Sequence, residues 1–182
     1  MNRSSLMTRL FFIGIATCVI GINTSAAQNK AEATDSLRYP QEKHLANIKQ
    51  LTFGGDNAEA YWSFDSRKLV FQATRAEWNA SCDQIFIMDT KHPEKPSSIP
   101  DLVSTGKGRT TCAYFMPGNK SVLYASTHIG NESCPHVPPR RDDGKYVWPI
   151  YPDYDIFVAN LKGKIKKQLT NEPGYDAEAT VS

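Results

Sequence analysis

The sequence predicts an all-β chain built from repeated four-stranded antiparallel units, and three observations carry that prediction. Short runs rich in β-branched and aromatic residues, such as 68–74 and 84–88, are separated by turn-forming residues at close spacing. The chain also repeats itself. Lys49-Gln50-Leu51-Thr52 returns letter for letter as Lys167-Gln168-Leu169-Thr170, and Ala58-Glu59-Ala60 returns as Ala177-Glu178-Ala179. Finally, Leu69, Phe71 and Ala73 alternate with Val70, Gln72 and Thr74. One face is apolar and the other mixed, as in a sheet packed on both sides.

Taken in order, residues 1–27 read as a secretory signal peptide. Arg3 and Arg9 precede an apolar run from Leu10 to Ile22, and Ser25-Ala26-Ala27 places small residues before Gln28. That run falls short of the roughly 20 residues of a spanning helix, so the mature chain is expected to have no membrane span. Lipidation at Cys18 is disfavoured because Thr17 stands where Gly or Ala is required. Export to the periplasm or the extracellular space is expected. Residues 28–47 are polar and without period, a flexible leader with at most a helical turn near 40–46.

The ordered part is expected over 48–182. Ile48 to Thr52 reads as an outer strand of a preceding or closing unit. The first unit, about 60–104, has strands at 60–63, 68–74, 84–88 and 99–104, with its turn over Phe64-Asp65-Ser66-Arg67. The second, about 112–170, has strands at 112–116, 121–127, 154–159 and 165–170, with its turn over Pro117-Gly118-Asn119-Lys120. Ser104-Thr105-Gly106 aligns with Leu51-Thr52-Phe53, and Tyr114-Phe115 with Tyr61-Trp62. A third unit opens at 178–182. One such unit cannot bury its own apolar faces, which describes a blade of an incomplete β-propeller better than half of a sandwich.

Leu51-Thr52, Trp62-Ser63-Phe64-Asp65, Lys68, Phe71, Thr74-Arg75 and Ile85-Phe86-Ile87-Met88-Asp89 together form a pattern that resembles the WD-like β-propeller repeat of TolB and its relatives. The second unit keeps Phe115, Pro117 to Lys120 and Tyr124 to Thr127, but has His128 in place of the Arg. The resemblance spans nearly all of 48–182. It implies an exported, non-enzymatic platform that binds another exported protein, a peptide or a cell-envelope glycan. It also implies an incomplete array, since two units and the start of a third do not close a ring. TolB has a separate domain before its propeller, which 28–47 cannot build, so a role in the Tol machinery does not transfer. The other reading is the N-terminal propeller of a prolyl-oligopeptidase-type serine peptidase whose hydrolase domain is not in this chain.

In such blades the loop entering the innermost strand and the loop joining the second and third strands share one rim. Cys82, Cys112 and Cys134 then fall on that rim. Cys82–Cys112 is the expected disulfide, with Cys112–Cys134 its rival, in keeping with an oxidising compartment. The same rim carries an unusually long loop, Ile129 to Asp153. Its Arg140, Arg141, Tyr146, Trp148 and Tyr151 are the candidate binding residues, an aromatic platform with arginines to read acidic groups. The competing reading packs those aromatics over the sheet edge as a small satellite core.

Other chemistries find little footing. The formal charge of +2 comes from Arg3 and Arg9, leaving a neutral chain after residue 27, which argues against nucleic-acid binding. Lys162 to Lys167 reads as a hairpin tip and a charged edge. No Gly-x-Ser-x-Gly or His-Glu-x-x-His motif occurs, so no catalytic residue is assigned. Gly106-Lys107-Gly108-Arg109 lacks the spacing of a phosphate loop and precedes a strand. His128, Cys134 and His136 are too few for a zinc site if Cys134 is oxidised, so no metal and no cofactor are expected.

Overall fold

The structure is a computed structural model that describes residues 37–91 and 99–181. The signal-peptide reading of 1–27, Cys18 included, and the first part of the leader lie outside the described residues. Over 37–49 the chain forms exposed turns with no helix. Glu42 organises them, its carboxylate accepting from the Leu45 N–H at 2.9 Å while Arg38 Nη2 donates to its carbonyl at 2.8 Å.

Residues 50–181 are all-β, arranged as two antiparallel sheets. The first holds β1 (Asp56–Trp62), β2 (Lys68–Arg75), β3 (Ala80–Asp89) and β4 (Asp101–Leu102), in that order. The second holds β5 (Thr110–Phe115), β6 (Ser121–Ser126), β7 (Asp153–Asn160) and β8 (Ile165–Gln168), with β9 (Gly174–Tyr175) added parallel to β7. Each four-strand path is a meander, and the expected strands are found with shifted ends. Two expected elements are not strands: Ile48 to Thr52, and Glu178 to Val181. Neither is paired with a strand among the described residues, and β9 pairs with the start of β7 at Asp153 and Tyr154.

The repeat is structural as well as textual. Strand pairing slips between Ala58 and Tyr61 in the first sheet and between Thr111 and Tyr114 in the second. At those bulges Glu59 and Cys112 have φ of 51° and 46°, and Glu178 in the third copy has 59°. A bulge with a left-handed residue therefore marks the first two copies, and the third shares the left-handed residue at the matching position. The rings of Tyr61 and Tyr114, which follow equivalent bulges, lie 4.1 Å apart. The turns correspond too, with Ser66 at φ 55° and Asn119 at 57°. The Ser63 hydroxyl accepts the Lys68 N–H at 3.0 Å, which closes the first turn. The two turns meet where the Phe64 N–H donates to Asn119 Oδ1 at 2.9 Å.

The Leu-Thr signature has a physical meaning. In the second sheet the Leu169 N–H donates to the Ile156 carbonyl at 2.7 Å, and the Ile156 N–H donates to the Thr170 hydroxyl at 2.9 Å. The first sheet repeats this with the Val103 N–H on the Ile85 carbonyl (2.8 Å) and the Ile85 N–H on the Ser104 hydroxyl (2.9 Å). Ser104 thus matches Thr170 and Thr52, which shifts by one residue the alignment expected from sequence. A hydroxyl at this position clamps the end of the third strand. Replacing Thr170 with Val keeps the shape but strands the Ile156 N–H. It is expected to cost about 1–3 kcal/mol in chemical denaturation, whereas Thr105→Val should change little.

The sheets pack face to face. Val70, Ile85, Ile87 and Val103 of the first meet Ala113, Phe115, Val122, Tyr124, Phe157 and Ala159 of the second. Gln72 is buried on this face because its Oε1 accepts from the Cys112 N–H at 3.2 Å and the Thr111 hydroxyl at 3.1 Å, supplying partners at the neighbouring bulge. Phe71 and Phe86 point to the other side of the first sheet, at positions equivalent to Tyr124 and Phe157. Here Trp78, in a 3-10 turn over Ala76–Trp78, lies edge-on to them at 6.4 and 5.2 Å. Arg75 sits over the indole at 4.7 Å. Sequence alternation marks the Phe71 face as apolar and the Val70 face as mixed; the mixed face is the one that packs on the second sheet, and the Trp78 cap is a local addition of this one hairpin.

Candidate functional site

The long loop between β6 and β7 is fastened before it becomes irregular. The Asn131 N–H donates to the Thr127 carbonyl at 2.9 Å, the Gly108 N–H to the Glu132 carbonyl at 2.7 Å, and Lys107 pairs with Glu132. That course delivers Cys134 to β3, where it is bonded to Cys82 across a Cα–Cα distance of 6.0 Å. The pairing corrects both sequence expectations, Cys82–Cys112 and Cys112–Cys134. Among the described residues Cys112 is the free cysteine, and it is buried. The bulge gives it a positive φ and sets its thiol beside the Thr111 hydroxyl at 3.3 Å, and burial pushes the thiol pKa up. Cys82 likewise lies within β3 and not in the loop before it.

Beneath the fastening, Asp83 and Arg109 form a largely buried ion pair at 3.5 Å. Asp83 Oδ1 also accepts from the Thr74 hydroxyl at 2.8 Å, and its carbonyl accepts from the Thr110 hydroxyl at 2.9 Å. Tyr154, fully buried, is held neutral because burial raises its pKa. His128 is half-buried against Phe157, with ring centroids 4.4 Å apart, and its Nδ1 lies 2.9 Å from the Ser126 hydroxyl. Burial lowers its pKa, which favours the neutral ring. Among the described residues no group of His, Cys, Asp and Glu is placed to hold a metal ion. Cys134 is in the disulfide, and His136 lends its backbone carbonyl to the Tyr151 hydroxyl at 2.8 Å.

The five predicted binding residues divide into two groups. Trp148 and Tyr151 belong to an aromatic ladder. Trp148 Nε1 donates to the Tyr175 hydroxyl at 3.0 Å, Tyr175 meets Tyr154 edge-on at 5.3 Å, and Tyr151 lies 6.2 Å from Tyr154. These rings act as the small satellite core. Arg140, Arg141 and Tyr146 instead line an open hollow of about 470 Å³, together with Val137, Pro138, Pro139, Gly144, Lys145, Val147 and Pro149. Tyr146 is 82% exposed. Arg141 is held by Asp143 through two bonds of 3.0 and 2.9 Å, which lower the carboxyl pKa and raise that of the guanidinium.

Sequence reasoning missed Lys145 as a lining cation and Tyr175 as the anchor of Trp148. The first was legible as a third positive charge beside Arg140 and Arg141. The second was not, because Tyr175 reaches the loop only through the parallel pairing of β9 with β7. A smaller hollow of about 230 Å³ lies over the first sheet, lined by Leu51, Thr52, Leu69, Phe71 and Met88 among others. Its lining also includes Asn57 and Glu59, and it carries no cationic group. Among the described residues no helix is long and apolar enough to cross a membrane. No protein-family model matches the chain, and no curated protein matches it.

Proposed function

We propose that this chain is an exported binding platform of the TolB-like propeller kind, which takes its ligand in the hollow of the loop between β6 and β7. The observation that carries this reading is the hollow itself, which Arg140, Arg141 and Lys145 line together with Val137, Pro138, Pro139 and an exposed Tyr146. Exposed aromatic and arginine side chains on an ordered support are the groups that dominate binding energy in interfaces. The loop is anchored by the Cys82–Cys134 bridge and by the Trp148–Tyr175 hydrogen bond, so little ordering is left to be done on binding. A disulfide fits an oxidising compartment, and the repeated bulge and hydroxyl clamp fit a blade-like unit.

Titration of the purified protein with a panel of charged peptides and cell-envelope oligosaccharides tests this. At least one class is expected to bind, and Tyr146→Ala is expected to weaken that binding about tenfold while leaving thermal unfolding unchanged. Binding that survives Tyr146→Ala and Arg140→Ala together would place the ligand elsewhere and end this reading.

A further inference from the structure

We infer that the ligand of the hollow is an acidic peptide in extended conformation, which pairs its backbone with the segment Tyr146 to Trp148. This rests on the binding-platform reading above and names its ligand.

The charge of the lining is one-sided. Arg140, Arg141 and Lys145 line the hollow and no acidic residue does. The nearest carboxylate, Asp143, is already engaged by Arg141, with Lys145 3.9 Å away, and Asp142 stands beside it in sequence. Arg140 pairs with no carboxylate among the described residues. A ligand with acidic side chains would give Arg140 a partner and would add to the one carboxylate, Asp143, that Arg141 and Lys145 share.

The backbone carries the second part. Tyr146, Val147 and Trp148 are residue types that favour strands, yet they belong to no strand. Their N–H and C=O groups make no hydrogen bond to another described residue. The segment is held in place at both sides: the Gly144 N–H closes a turn on the Arg141 carbonyl at 3.0 Å, and the Trp148 side chain is tied to Tyr175. A segment anchored at both sides, with its backbone groups unpaired, is what an incoming extended peptide needs for strand addition. Alternate side chains of such a peptide would point to the floor of Val137, Pro138 and Pro139, so acidic and apolar residues in alternation satisfy both parts of the hollow. A neutral sugar would use Tyr146 but would leave the charge of Arg140 and the free backbone unused.

The test is fluorescence anisotropy with a short, end-capped peptide alternating glutamate and valine, beside its lysine–valine counterpart and an N-methylated version of the acidic peptide. The acidic peptide is expected to bind at least about tenfold more tightly than the lysine peptide. Its affinity is expected to fall by about tenfold or more with Arg140→Ala and Lys145→Ala combined, and to fall again at about 0.5 M salt. N-methylation of its alternate amides, which removes the donors for strand pairing, should weaken it by a similar factor. Equal binding of the acidic and basic peptides, or no effect of the double substitution or of N-methylation, would overturn the inference. If no peptide binds but an envelope oligosaccharide does and Tyr146→Ala abolishes it, the platform reading stands and the peptide inference falls. If neither binds, both fall.

Discussion

Replacing Phe157 with alanine is expected to cost about 3–5 kcal/mol of folding stability, the usual range for emptying a buried phenylalanine site. Phe157 is 1% exposed and lies in the cluster that joins the two sheets. It pairs across β6–β7 with Tyr124, ring centroids 6.4 Å apart, and His128 covers its other side. The side chain is thus enclosed by its own sheet, by the facing sheet and by the start of the long loop, and little can collapse into the gap. Domains have about 5–15 kcal/mol in total, so the variant should stand close to unfolding at ordinary temperature. Urea titration reads the loss, with Phe64→Ala, an exposed turn residue, as the near-neutral control. A loss below about 1 kcal/mol would mean that the two sheets do not share this core.

The second large effect belongs to the disulfide. Cys82 and Cys134 are 52 residues apart, and the loop-closure estimate for that separation is about 4 kcal/mol. Cys134→Ser in a Cys112→Ala background, which prevents re-pairing, is expected to lower the thermal midpoint by on the order of 10 °C. The same change should loosen residues 135–150, which form no strand and depend on anchors at either end. An unchanged midpoint would show that the bridge fastens nothing. The oxidised protein should also resist thiol reagents in the native state. Cys112, the free thiol among the described residues, is buried and its pKa is raised, so the reactive thiolate is scarce.

Much of the fold was legible because its signals are local. Alternation over 68–74 and the apolar run at 84–88 identified β2 and β3, and the turns at Ser66 and Asn119 followed from turn chemistry. The ends of β1 and β5 were not, because the bulges at Glu59 and Cys112 break the alternation on which strand reading depends. The one-residue error at Ser104 has a related cause. Serine and threonine both supply the clamping hydroxyl, so Ser104-Thr105 offers two candidates and only the hydrogen bond to Ile85 chooses between them. Trp78 illustrates a different limit, since a lone tryptophan in a polar hairpin gives no sign of which face it will cover.

The site was half legible. The composition of 129–153 announced a structured loop, and Arg140, Arg141 and Tyr146 do share one hollow. Trp148 and Tyr151 looked equivalent to Tyr146 in sequence and are spent on internal contacts, Trp148 on Tyr175 of β9 and Tyr151 on the His136 carbonyl and the Tyr154 ring. The disulfide was misread for a similar reason. Sequence placed all three cysteines together but could not show that the bulge gives Cys112 a buried place of its own while Glu132, bonded to Gly108, carries Cys134 to Cys82.

The claim on which the rest depends is that the long loop is fastened to the first sheet and so presents an ordered hollow. Peptide mapping under non-reducing conditions tests it most directly, after blocking free thiols first in the native and then in the unfolded protein. The predicted result is a linked pair of peptides containing Cys82 and Cys134, with Cys112 blocked only after unfolding. A linked pair containing Cys112, or a Cys134 that is blocked in the native protein, would contradict it.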